Sequence, residues 1–471
     1  MSSRKAQKPL PPFHVGDDYK ILHGLGEGAY GTVVAALHKP TNREVAIKKV
    51  LPFEHTLFCL RTLRELKLLK FFSETCVNEN IISILDIIKP PSLDEFKEIY
   101  FIQELMQTDL HRVIRTQQLT DDHCQYFVYQ TLRALKTMHS ADIVHRDLKP
   151  ANLLLNANCD LKVCDFGLAR STRSTTPGGK EAGLMTEYVA TRWYRAPEIM
   201  LSFKMYTKAI DIWAVGCILA ELLNGRPLFP GRDYGHQLDL ILDVIGTPTL
   251  EEFYGITSRR SRDYIRALPI RKRRPFTALF PKASPEAIDF LQKTLVFGDG
   301  WMAAMRARRW PDTQTTPSRV RVRMAVPPQP AALCIAASSI AEAGWFLRVE
   351  QSVGDRCAAA DTGVARRPAL DVQYATSLPP PPHVALGVIA ISRVPHSLFI
   401  RNFAATFDPK KRLTVDQALE HPYLAAYHDP EDEPAVSSLD PEYFEFDYKE
   451  LNKDELKQLL YDEVMSFNSL I

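Results

Sequence analysis

The amino-acid sequence predicts an α+β fold, in which antiparallel strands near the N terminus are followed by long helices. Residues 19–50 alternate apolar and polar side chains, are rich in valine and isoleucine, and are broken by a glycine cluster and the turn-forming stretch KPTNRE. Such alternation is typical of consecutive antiparallel strands. Residues 57–72 and 121–140 instead repeat apolar side chains at helical spacing, which predicts long amphipathic helices.

Composition limits the classes of partner. The 471 residues are 45% hydrophobic, which is enough for a large core, and 58 Lys plus Arg against 56 Asp plus Glu leave a formal net charge of +2. Since no overall field attracts nucleic acid or a membrane, we expect direct binding to neither. The start lacks the apolar core of a signal peptide, and no run reaches the roughly 18 apolar residues of a spanning helix. We therefore expect a soluble intracellular chain.

The cysteines suggest neither a zinc site nor a disulfide framework. They are scattered, without a C-x-x-C pair or a histidine at ligand spacing. We expect buried, reduced thiols. The eight are Cys59, Cys76, Cys124, Cys159, Cys164, Cys217, Cys334 and Cys357.

A glycine-rich loop lies between the first two predicted strands. Gly26, Gly28 and Gly31 form G-x-G-x-x-G, which alone is ambiguous because a dinucleotide-binding turn has the same spacing. Such a turn opens a helix, whereas residues 32–34 here continue as strand. The loop is therefore predicted to be a hairpin tip whose backbone N–H groups cover the phosphates of a nucleotide.

Lys48 and Glu65 are candidates for the same site. Lys48 follows apolar Val45 and Ile47 on a predicted strand, so its ammonium is expected to point into a cleft, although a solvated surface lysine is the alternative. We expect the neighbouring Lys49 to be solvated. Glu65 lies in the helical stretch 57–72, and the helix alone would indicate a solvated charge. Because the glycine-rich loop and Lys48 precede it, we expect Glu65 to pair with Lys48.

Two segments further along the chain carry the chemistry. IVHRDLKPANLLLN contains Asp147, Lys149 and Asn152, and LKVCDFGLAR contains Asp165. Phosphoryl transfer needs a carboxylate near the attacking hydroxyl, a cation on the γ-phosphate and oxygen ligands for Mg²⁺. These residues supply all three in that order, although each singly has a structural explanation, such as Asp147 capping a turn.

Together with A-P-E at 196–198, this order of motifs resembles the eukaryotic protein kinases. The resemblance implies the bilobal protein kinase fold, with a small β-rich N-terminal lobe and a larger helical C-terminal lobe, and it implies ATP and Mg²⁺ as cofactors. It implies that Asp147, Lys149, Lys48 and Glu65 are catalytic and that Asn152 and Asp165 hold the metal. The implied nucleotide-binding residues are Gly26, Glu27, Gly28, Gly31, Val33, Ala46, Lys48, Gln103, Glu104 and Met106, and Asp211 would support the catalytic loop.

The stretch TEYVATRWYRAPE places Thr186, Glu187 and Tyr188 before A-P-E. It resembles the activation lip of mitogen-activated protein kinases of the T-E-Y, extracellular-signal-regulated type, and the chain looks closest to the fungal pheromone and filamentation kinases. The resemblance implies activation by phosphorylation of Thr186 and Tyr188 and selection of Ser/Thr-Pro sites. Arginines would capture the two phosphates, namely Arg64, Arg146 and Arg170 at Thr186, and Arg192 and Arg195 at Tyr188.

Near the C terminus, DPEDEP matches the docking patch of the same family. Asp429, Asp432 and Glu433 would attract basic docking peptides of an upstream dual-specificity kinase, of phosphatases and of substrates such as transcription factors. We expect a monomer in the cytoplasm and the nucleus. The basic clusters RRSR (259–262) and RKRR (271–274) are expected to form a solvated face, although they also invite a nuclear-import or nucleic-acid interpretation.

One segment departs from the family pattern. The helix at 284–295 should lead at once into TFDPKKR, which here begins at Thr406, and Arg412 of that stretch is expected to pair with Glu198. Residues 296–405 contain no Lys, twelve Arg and three of the five Trp, without sustained periodicity. We predict disorder or a retained intron there, with an inserted domain or an ordered regulatory loop as alternatives.

The predicted organisation follows. Residues 1–18 form a flexible tail, 19–103 the N-terminal lobe, 104–295 the hinge and C-terminal lobe, 296–405 the insertion, 406–425 the end of the C-terminal lobe and 426–471 a docking extension. Two other interpretations stay open at this point. One is a catalytically dead or misfolded chain that acts at most as a scaffold, and the other is a cyclin-dependent type of kinase.

Overall fold

A computed structural model describes residues 10–28, 31–75, 79–173, 191–201, 207–256, 258–296 and 412–471. Several predictions concern residues outside these ranges: the phosphorylation of Thr186 and Tyr188, the nature of the insertion, and the state of Cys76, Cys334 and Cys357.

The N-terminal lobe is a five-stranded antiparallel sheet with one long helix beside it. Its strands pair in the order β1-β2-β3-β5-β4. They are β1 (Tyr19–Gly28), β2 (Gly31–His38), β3 (Arg43–Val50), β4 (Ile84–Ile87) and β5 (Ile99–Glu104). Helix α1 (Thr56–Thr75) connects β3 to β4 and is preceded by a 3₁₀ turn, Pro52–Glu54. The alternating sequence puts Val34, Val45, Ile47 and Ile102 on one face of the sheet, where they form a core of their own.

The C-terminal lobe is mainly helical. Its short strands are β6 (Thr108–Asp109), β7 (Ile143–Val144), β8 (Leu153–Leu155), β9 (Leu161–Val163) and β10 (Arg170–Ser171). Its helices are α2 (Leu110–Thr116), α3 (Asp121–Ser140), α4 (Pro197–Leu201), α5 (Ala209–Asn224), α6 (Tyr234–Ile245), α7 (Leu250–Gly255), α8 (Arg259–Ala267), α9 (Phe276–Leu279), α10 (Pro285–Thr294) and a last short one, Val415–Leu419. Further 3₁₀ turns are Pro150–Asn152 and Pro422–Leu424.

Helix α5 is the centre of this lobe. All residues from Ile210 to Leu222 are buried, as expected of a helix that is apolar on every side. Trp213 stacks on Phe229 with ring centroids 5.9 Å apart. The helix ends at Gly225, whose φ of +68° belongs to the left-handed region that glycine adopts without strain.

The two ends of the predicted interruption lie side by side. Helix α10 is capped by Ser284 and ends at Thr294. The carbonyl of Val296 accepts a hydrogen bond at 3.4 Å from Arg412, which also binds Glu198, as predicted, with one of its two bonds at 2.7 Å. The Arg412 guanidinium packs 4.9 Å from the Trp213 ring. Val296 and Arg412, the described residues on either side of 297–411, are therefore in direct contact.

The C-terminal extension returns to the N-terminal lobe. It forms a 3₁₀ segment, Pro441–Asp447, and a C-terminal helix, Lys453–Met465, which packs along α1. Lys67 of α1 pairs with Glu463 at 2.7 Å. The amide of Leu470 donates to Leu85 at 2.8 Å, so the end of the extension reaches β4.

The predicted α+β, bilobal fold is confirmed. Four described cysteines are buried and Cys164 is partly buried, and all five are free thiols as expected. Within the described ranges, no helix is both long and apolar enough to cross a bilayer.

The prediction for Lys49 was wrong. This side chain is buried, and it pairs with Glu98 at 2.6 Å and donates to the Pro12 carbonyl at 2.8 Å. Its ammonium also lies 5.6 Å from the ring of Tyr100. The sequence suggested a solvated residue because strand alternation turns Lys49 away from the cleft, but the segment before β1 covers that face of the sheet.

Glu98 should make the stability of this N-terminal lobe depend on pH. Burial alone would raise the pKa of Glu98, but hydrogen bonds from Lys49, Tyr100 and His14 outweigh it and lower the pKa to about 2, from 4.5. A carboxyl whose folded-state pKa is depressed stabilises the fold above its unfolded pKa, and this stability is lost as the pH falls from about 4.5 towards 2.

We predict that Glu98→Gln lowers the free energy of unfolding at pH 7 by about 1 kcal/mol, because the ion pair is partly exposed and screened by water. The difference from the parent should shrink as the pH falls. Urea unfolding at pH 7 and at pH 3 measures both effects, with the exposed neighbour Glu95→Gln as control. A difference that is the same at both pH values would contradict the assignment.

Candidate active site

One face of the N-terminal sheet collects the predicted nucleotide-binding residues. Val33 of β2 lies opposite Lys48 of β3, and Ala46 of β3 lies opposite Gln103 of β5. Cross-strand partners, and residues two apart on one strand, share a face. The four side chains are therefore on the same side of the sheet, opposite the face that forms the core with Val34 and Ile47.

The glycine-rich loop is a hairpin, as predicted. Gly26 lies opposite Val33, Glu27 is exposed beside it, and Gly28 lies opposite Gly31, while residues 29–30 are outside the described ranges. Gly31 is required by its neighbour, because a Cβ there would lie 1.8 Å from the carbonyl oxygen of Lys49. No other residue lets β2 and β3 approach so closely at the start of the loop.

The connection between the lobes follows β5. This strand ends at Glu104, whose carboxylate pairs with Lys162 at 3.0 Å and accepts the amide of Ser83 at 2.9 Å. Glu104 thus joins β5 to β9 of the other lobe. Met106, two residues on, is buried. Because the Glu104 carboxylate is already bonded to Lys162 and Ser83, a ligand at this stretch would form hydrogen bonds with the backbone.

Lys48 and Glu65 are paired. Lys48 Nζ lies 2.5 Å from Glu65 Oε1, and both side chains are mostly shielded from water. Burial alone would lower the pKa of Lys48, but Glu65 and Asp165 outweigh it and raise that pKa above its usual value. The ammonium therefore stays charged and reaches from β3 towards α1 and Asp165.

Helix α1 is held in place by the residue before Glu65. The buried guanidinium of Arg64 forms two bonds with Asp447 of the C-terminal extension, one of them at 3.1 Å, and also donates to the carbonyl of Gly167. The Arg64 and Asp447 side chains are 2% and 3% exposed. One side chain thus links α1, the D-F-G segment and the extension.

Asp211 of α5 supports the catalytic loop. Its carboxylate accepts the backbone amides of His145 at 2.9 Å and of Arg146 at 3.0 Å, and lies 3.0 Å from His139 Nε2. Arg146 has a φ of +69°, which is unusual for a residue with a side chain. The two amide bonds hold the backbone in that conformation.

The centre of the loop is Asp147, which is 9% exposed. Its Oδ2 accepts from Lys149 Nζ at 2.6 Å and from Asn152 Nδ2 at 3.3 Å, and the same Nδ2 donates to the Asp147 carbonyl at 2.9 Å. Burial alone would lower the pKa of Lys149, but Asp147 and Asp165 outweigh it and raise that pKa. The carboxylate is therefore oriented by a permanent cation and an amide.

Asp165 lies where a metal ligand is predicted. Burial alone would raise its pKa, but Lys48 and Lys149 outweigh it and keep the pKa below the usual range, so the carboxylate is ionised. The amide of Cys164 donates to the Asn152 carbonyl at 3.0 Å, which brings the two predicted ligands into neighbouring segments. Because Asn152 Nδ2 faces Asp147, its amide oxygen is left for another partner.

This donor set fits a cation that is shared with a ligand. Within the described ranges, no cluster of three or more His, Cys, Asp or Glu side chains is placed to hold a metal. One carboxylate and one amide oxygen suit Mg²⁺, which keeps several waters and is usually bound by few protein oxygens together with phosphates.

The arginines predicted to receive phosphate on Thr186 lie together. Arg170 is 3.6 Å from Asp447, the partner of Arg64. The pKa of Arg170 is lowered, mainly by burial and to a smaller extent by repulsion from Arg64. Arg146 also contributes to the lowered pKa of Arg170. Two guanidinium groups thus contact Asp447, and Arg146 is close enough to repel both of them, which leaves a net positive cluster.

The second predicted pair, Arg192 and Arg195, converges on Tyr234. Arg195 donates to the Tyr234 hydroxyl at 2.9 Å, and the Arg192 guanidinium lies 5.3 Å from the ring. Among the described residues, Asp147, Arg195 and Asp211 line a small cleft together with several apolar side chains. Its lining includes Leu148, Thr191, Tyr194, Ala196, Ile199 and Ile210.

The predicted docking residues differ in orientation. Asp429 and Asp432 are exposed, and Asp432 also accepts from Arg133 at 2.8 Å. Glu433 is turned inward, with no exposed side-chain surface, and pairs with Lys136 at 3.0 Å and His428 at 2.6 Å. Of the three predicted docking carboxylates, two therefore face solvent, while Glu433 secures the segment to α3.

Sequence reasoning missed Asp447 and His139. Asp447 is 383 positions from Arg64, in a stretch where FEFDYKE shows only mixed acidic and aromatic residues. The one signal available was an acidic residue flanked by aromatics, which is typical of a buried carboxylate with a cationic partner. His139 lies at the end of an amphipathic helix, where a histidine reads as a surface residue.

Comparisons with known proteins agree with this geometry. Residues 19–298 match the family model described as protein kinase domain. The chain is similar to Mitogen-activated protein kinase 2 of Pneumocystis carinii, with 49% identity over 97% of this chain and 97% of that protein. It is 49% identical to a mitogen-activated protein kinase of Fusarium vanettenii, over 96% and 95% of the two chains. Mitogen-activated protein kinase spk1 of Schizosaccharomyces pombe is 45% identical over 96% and 91%.

Removing the carboxylate that balances the arginines should destabilise the protein strongly. We predict that Asp447→Asn lowers the free energy of unfolding by about 3 kcal/mol, because Arg64 and Arg170 are left buried without an anion. Urea unfolding followed by tryptophan fluorescence measures the change.

The matched control is Glu445→Gln, two residues away. Glu445 forms an exposed pair with Lys449 at 2.8 Å, so its loss should change stability by less than about 0.5 kcal/mol. Equal losses in the two variants would mean that Asp447 is no more important than a surface charge.

Proposed function

Since this chain belongs to the mitogen-activated protein kinases, a group within the protein kinase family, we propose that it transfers the γ-phosphate of ATP to Ser or Thr hydroxyls that precede proline. The observation that carries this proposal is the position of Asp147. Its carboxylate is fixed by Lys149 at 2.6 Å and by Asn152, beside a small cleft lined by Leu148, Tyr194 and Ile199.

Asp147 acts as the base in this proposal. It accepts the proton of the substrate hydroxyl while the hydroxyl oxygen bonds to the γ-phosphorus and the bond from that phosphorus to the β,γ-bridging oxygen breaks, which releases ADP. Lys149 neutralises charge on the transferred group. Most of the rate gain comes from positioning and electrostatics, because little covalent chemistry is left to the protein.

ATP occupies the face of the sheet that carries Val33, Ala46, Lys48 and Gln103, with the glycine-rich hairpin over its phosphates. The adenine bonds to the backbone between Glu104 and Met106. Asn152 and Asp165 would hold Mg²⁺, which would supply positive charge to the phosphates when bound. The lowered pKa of Asp165 supports this role, because a metal ligand must be ionised.

Phosphorylation of Thr186 and Tyr188 turns the enzyme on. A phosphate carries about −1.5 to −2 charges at pH 7, and the cluster of Arg64, Arg146 and Arg170 with Asp447 has a net charge that matches one such group. Capture of the phosphate there would order the lip beside the apolar cleft, which then selects proline after the target hydroxyl.

We propose that an upstream dual-specificity kinase, phosphatases and substrates dock through basic peptides on Asp429 and Asp432, with Glu433 keeping the segment in position. Exposed ion pairs of this kind weaken with salt. The chain would act as a monomer in the cytoplasm and the nucleus, since its expected substrates include transcription factors. The similarity to fungal relatives supports a role in pheromone or filamentation signalling.

A phosphate-transfer assay tests the proposed reaction. The full chain, treated with an activating dual-specificity kinase and given radiolabelled ATP with Mg²⁺, should label a Ser-Pro peptide. Asp147→Ala should reduce the rate by at least about a hundredfold, because the base is gone. A Ser-Ala peptide of otherwise equal sequence should be a poorer substrate, and chelation of Mg²⁺ should abolish transfer.

Melting curves of the parent and of Asp147→Ala serve as the control for folding. Similar melting temperatures exclude unfolding as the cause of the lost activity. If the folded parent labels the peptide no better than Asp147→Ala does, the proposed function is wrong.

A further inference from the structure

Asp142, in the turn between α3 and β7, joins segments that are far apart in the sequence. Its Oδ1 accepts from Lys208 Nζ at 2.6 Å, and its Oδ2 lies 2.5 Å from Arg173 Nε and 2.8 Å from Ser438 Oγ. Its backbone carbonyl accepts the amide of Thr172 at 2.8 Å. We call these five residues the Asp142 cluster.

The conformation of Asp142 is a special one. Its φ is +60°, in the left-handed region, where Asp and Asn are tolerated better than most residues. The turn therefore favours a short polar side chain, but it does not require a charge. The negative charge of Asp142 instead serves to bind two cations from distant segments, Arg173 and Lys208. The carboxylate that they contact is only 14% exposed.

The partners mark the start of the activation segment. Thr172 and Arg173 follow β10, whose residues Arg170 and Ser171 pair with β7. Arg173 is the last described residue before the stretch that carries the predicted phosphorylation sites. Lys208 is the N-cap residue of α5, the helix that supports the catalytic loop through Asp211.

The fourth partner comes from the C-terminal extension. Ser438 donates to Asp142, and the neighbouring Leu439 donates its amide to the Ala141 carbonyl at 3.3 Å. The extension thus touches the turn that leads directly through β7 into the catalytic loop. The Asp142 carboxylate thus fixes the start of the activation segment, at Thr172 and Arg173, relative to the catalytic loop, to α5 and to the extension.

We propose that Asp142 is a positioning residue for the protein substrate. By fixing Thr172 and Arg173, it sets where the activation segment begins relative to the catalytic loop. It contacts neither nucleotide-binding residues nor Asp147, so its loss weakens use of the peptide substrate and leaves use of ATP unchanged. This inference rests on the proposed function, because it assumes that the activation segment contacts the peptide.

The test compares Asp142→Asn with the parent in the full chain. Asn keeps the size of the side chain and its tolerance of the left-handed region, but it removes the charge and one of the two acceptor oxygens. We expect the KM for a Ser-Pro peptide to rise about three- to tenfold, while the KM for ATP stays within about twofold of the parental value. Amide exchange at Thr172 should also become faster, which is a readout independent of activity.

Two further variants sharpen the result. Lys208→Met should raise the peptide KM in the same direction, and combining it with Asp142→Asn should add little, because both remove one interaction. Asp263→Asn is the matched control, since Asp263 also contacts two cations, Arg259 and Arg266, but lies exposed on α8. It should leave both KM values at the parental level.

The outcomes separate this inference from the proposed function. Parental peptide KM and parental exchange at Thr172 in Asp142→Asn would overturn it, and so would equal rises in both KM values, which indicate a general structural role. If the parent transfers no phosphate at all, the proposed function fails, and amide exchange at Thr172 alone then decides whether Asp142 fixes the segment.

Discussion

The buried ion pair between Arg64 and Asp447 is the interaction on which the active site depends. Helix α1 carries Glu65, and Glu65 holds Lys48 in the cleft, so the position of the catalytic lysine depends on how α1 is secured. Arg64 secures it to the C-terminal extension and to Gly167. The sequence order of the motifs is therefore not sufficient for the site, because residues at the far end of the chain complete it.

A second buried ion pair, between Glu198 and Arg412, secures the chain after the interruption to the C-terminal lobe. It joins A-P-E to the chain that follows the interruption, and Arg412 also binds Val296, where the interruption begins. Doubling the length of a flexible loop costs only about 0.6 kcal/mol, whereas breaking a buried pair costs about 3 to 5 kcal/mol. A long excursion is thus compatible with this fold as long as Arg412 reaches Glu198.

The sequence was sufficient for the parts of the site that local motifs define. Strand alternation puts Val33, Ala46, Lys48 and Gln103 on one face. The family resemblance, rather than any local pattern, implied the bilobal fold and the Glu198–Arg412 pair. Lys49 was misjudged because the segment that covers it comes from before β1. Asp447 and the inward orientation of Glu433 depend on long-range packing, and no local pattern distinguishes a buried paired carboxylate from a solvated one.

The central claim is that a complete kinase assembles from residues 19–296 and the chain from Arg412 onwards, with its active site intact. The most direct measurement compares the full chain with one in which Leu295 is joined to Thr406, by thermal melting and by phosphate transfer to a Ser-Pro peptide. The account predicts that the joined chain is active and melts at a higher temperature, with better soluble expression. A joined chain that is inactive, or that melts no higher than the full chain, would contradict it.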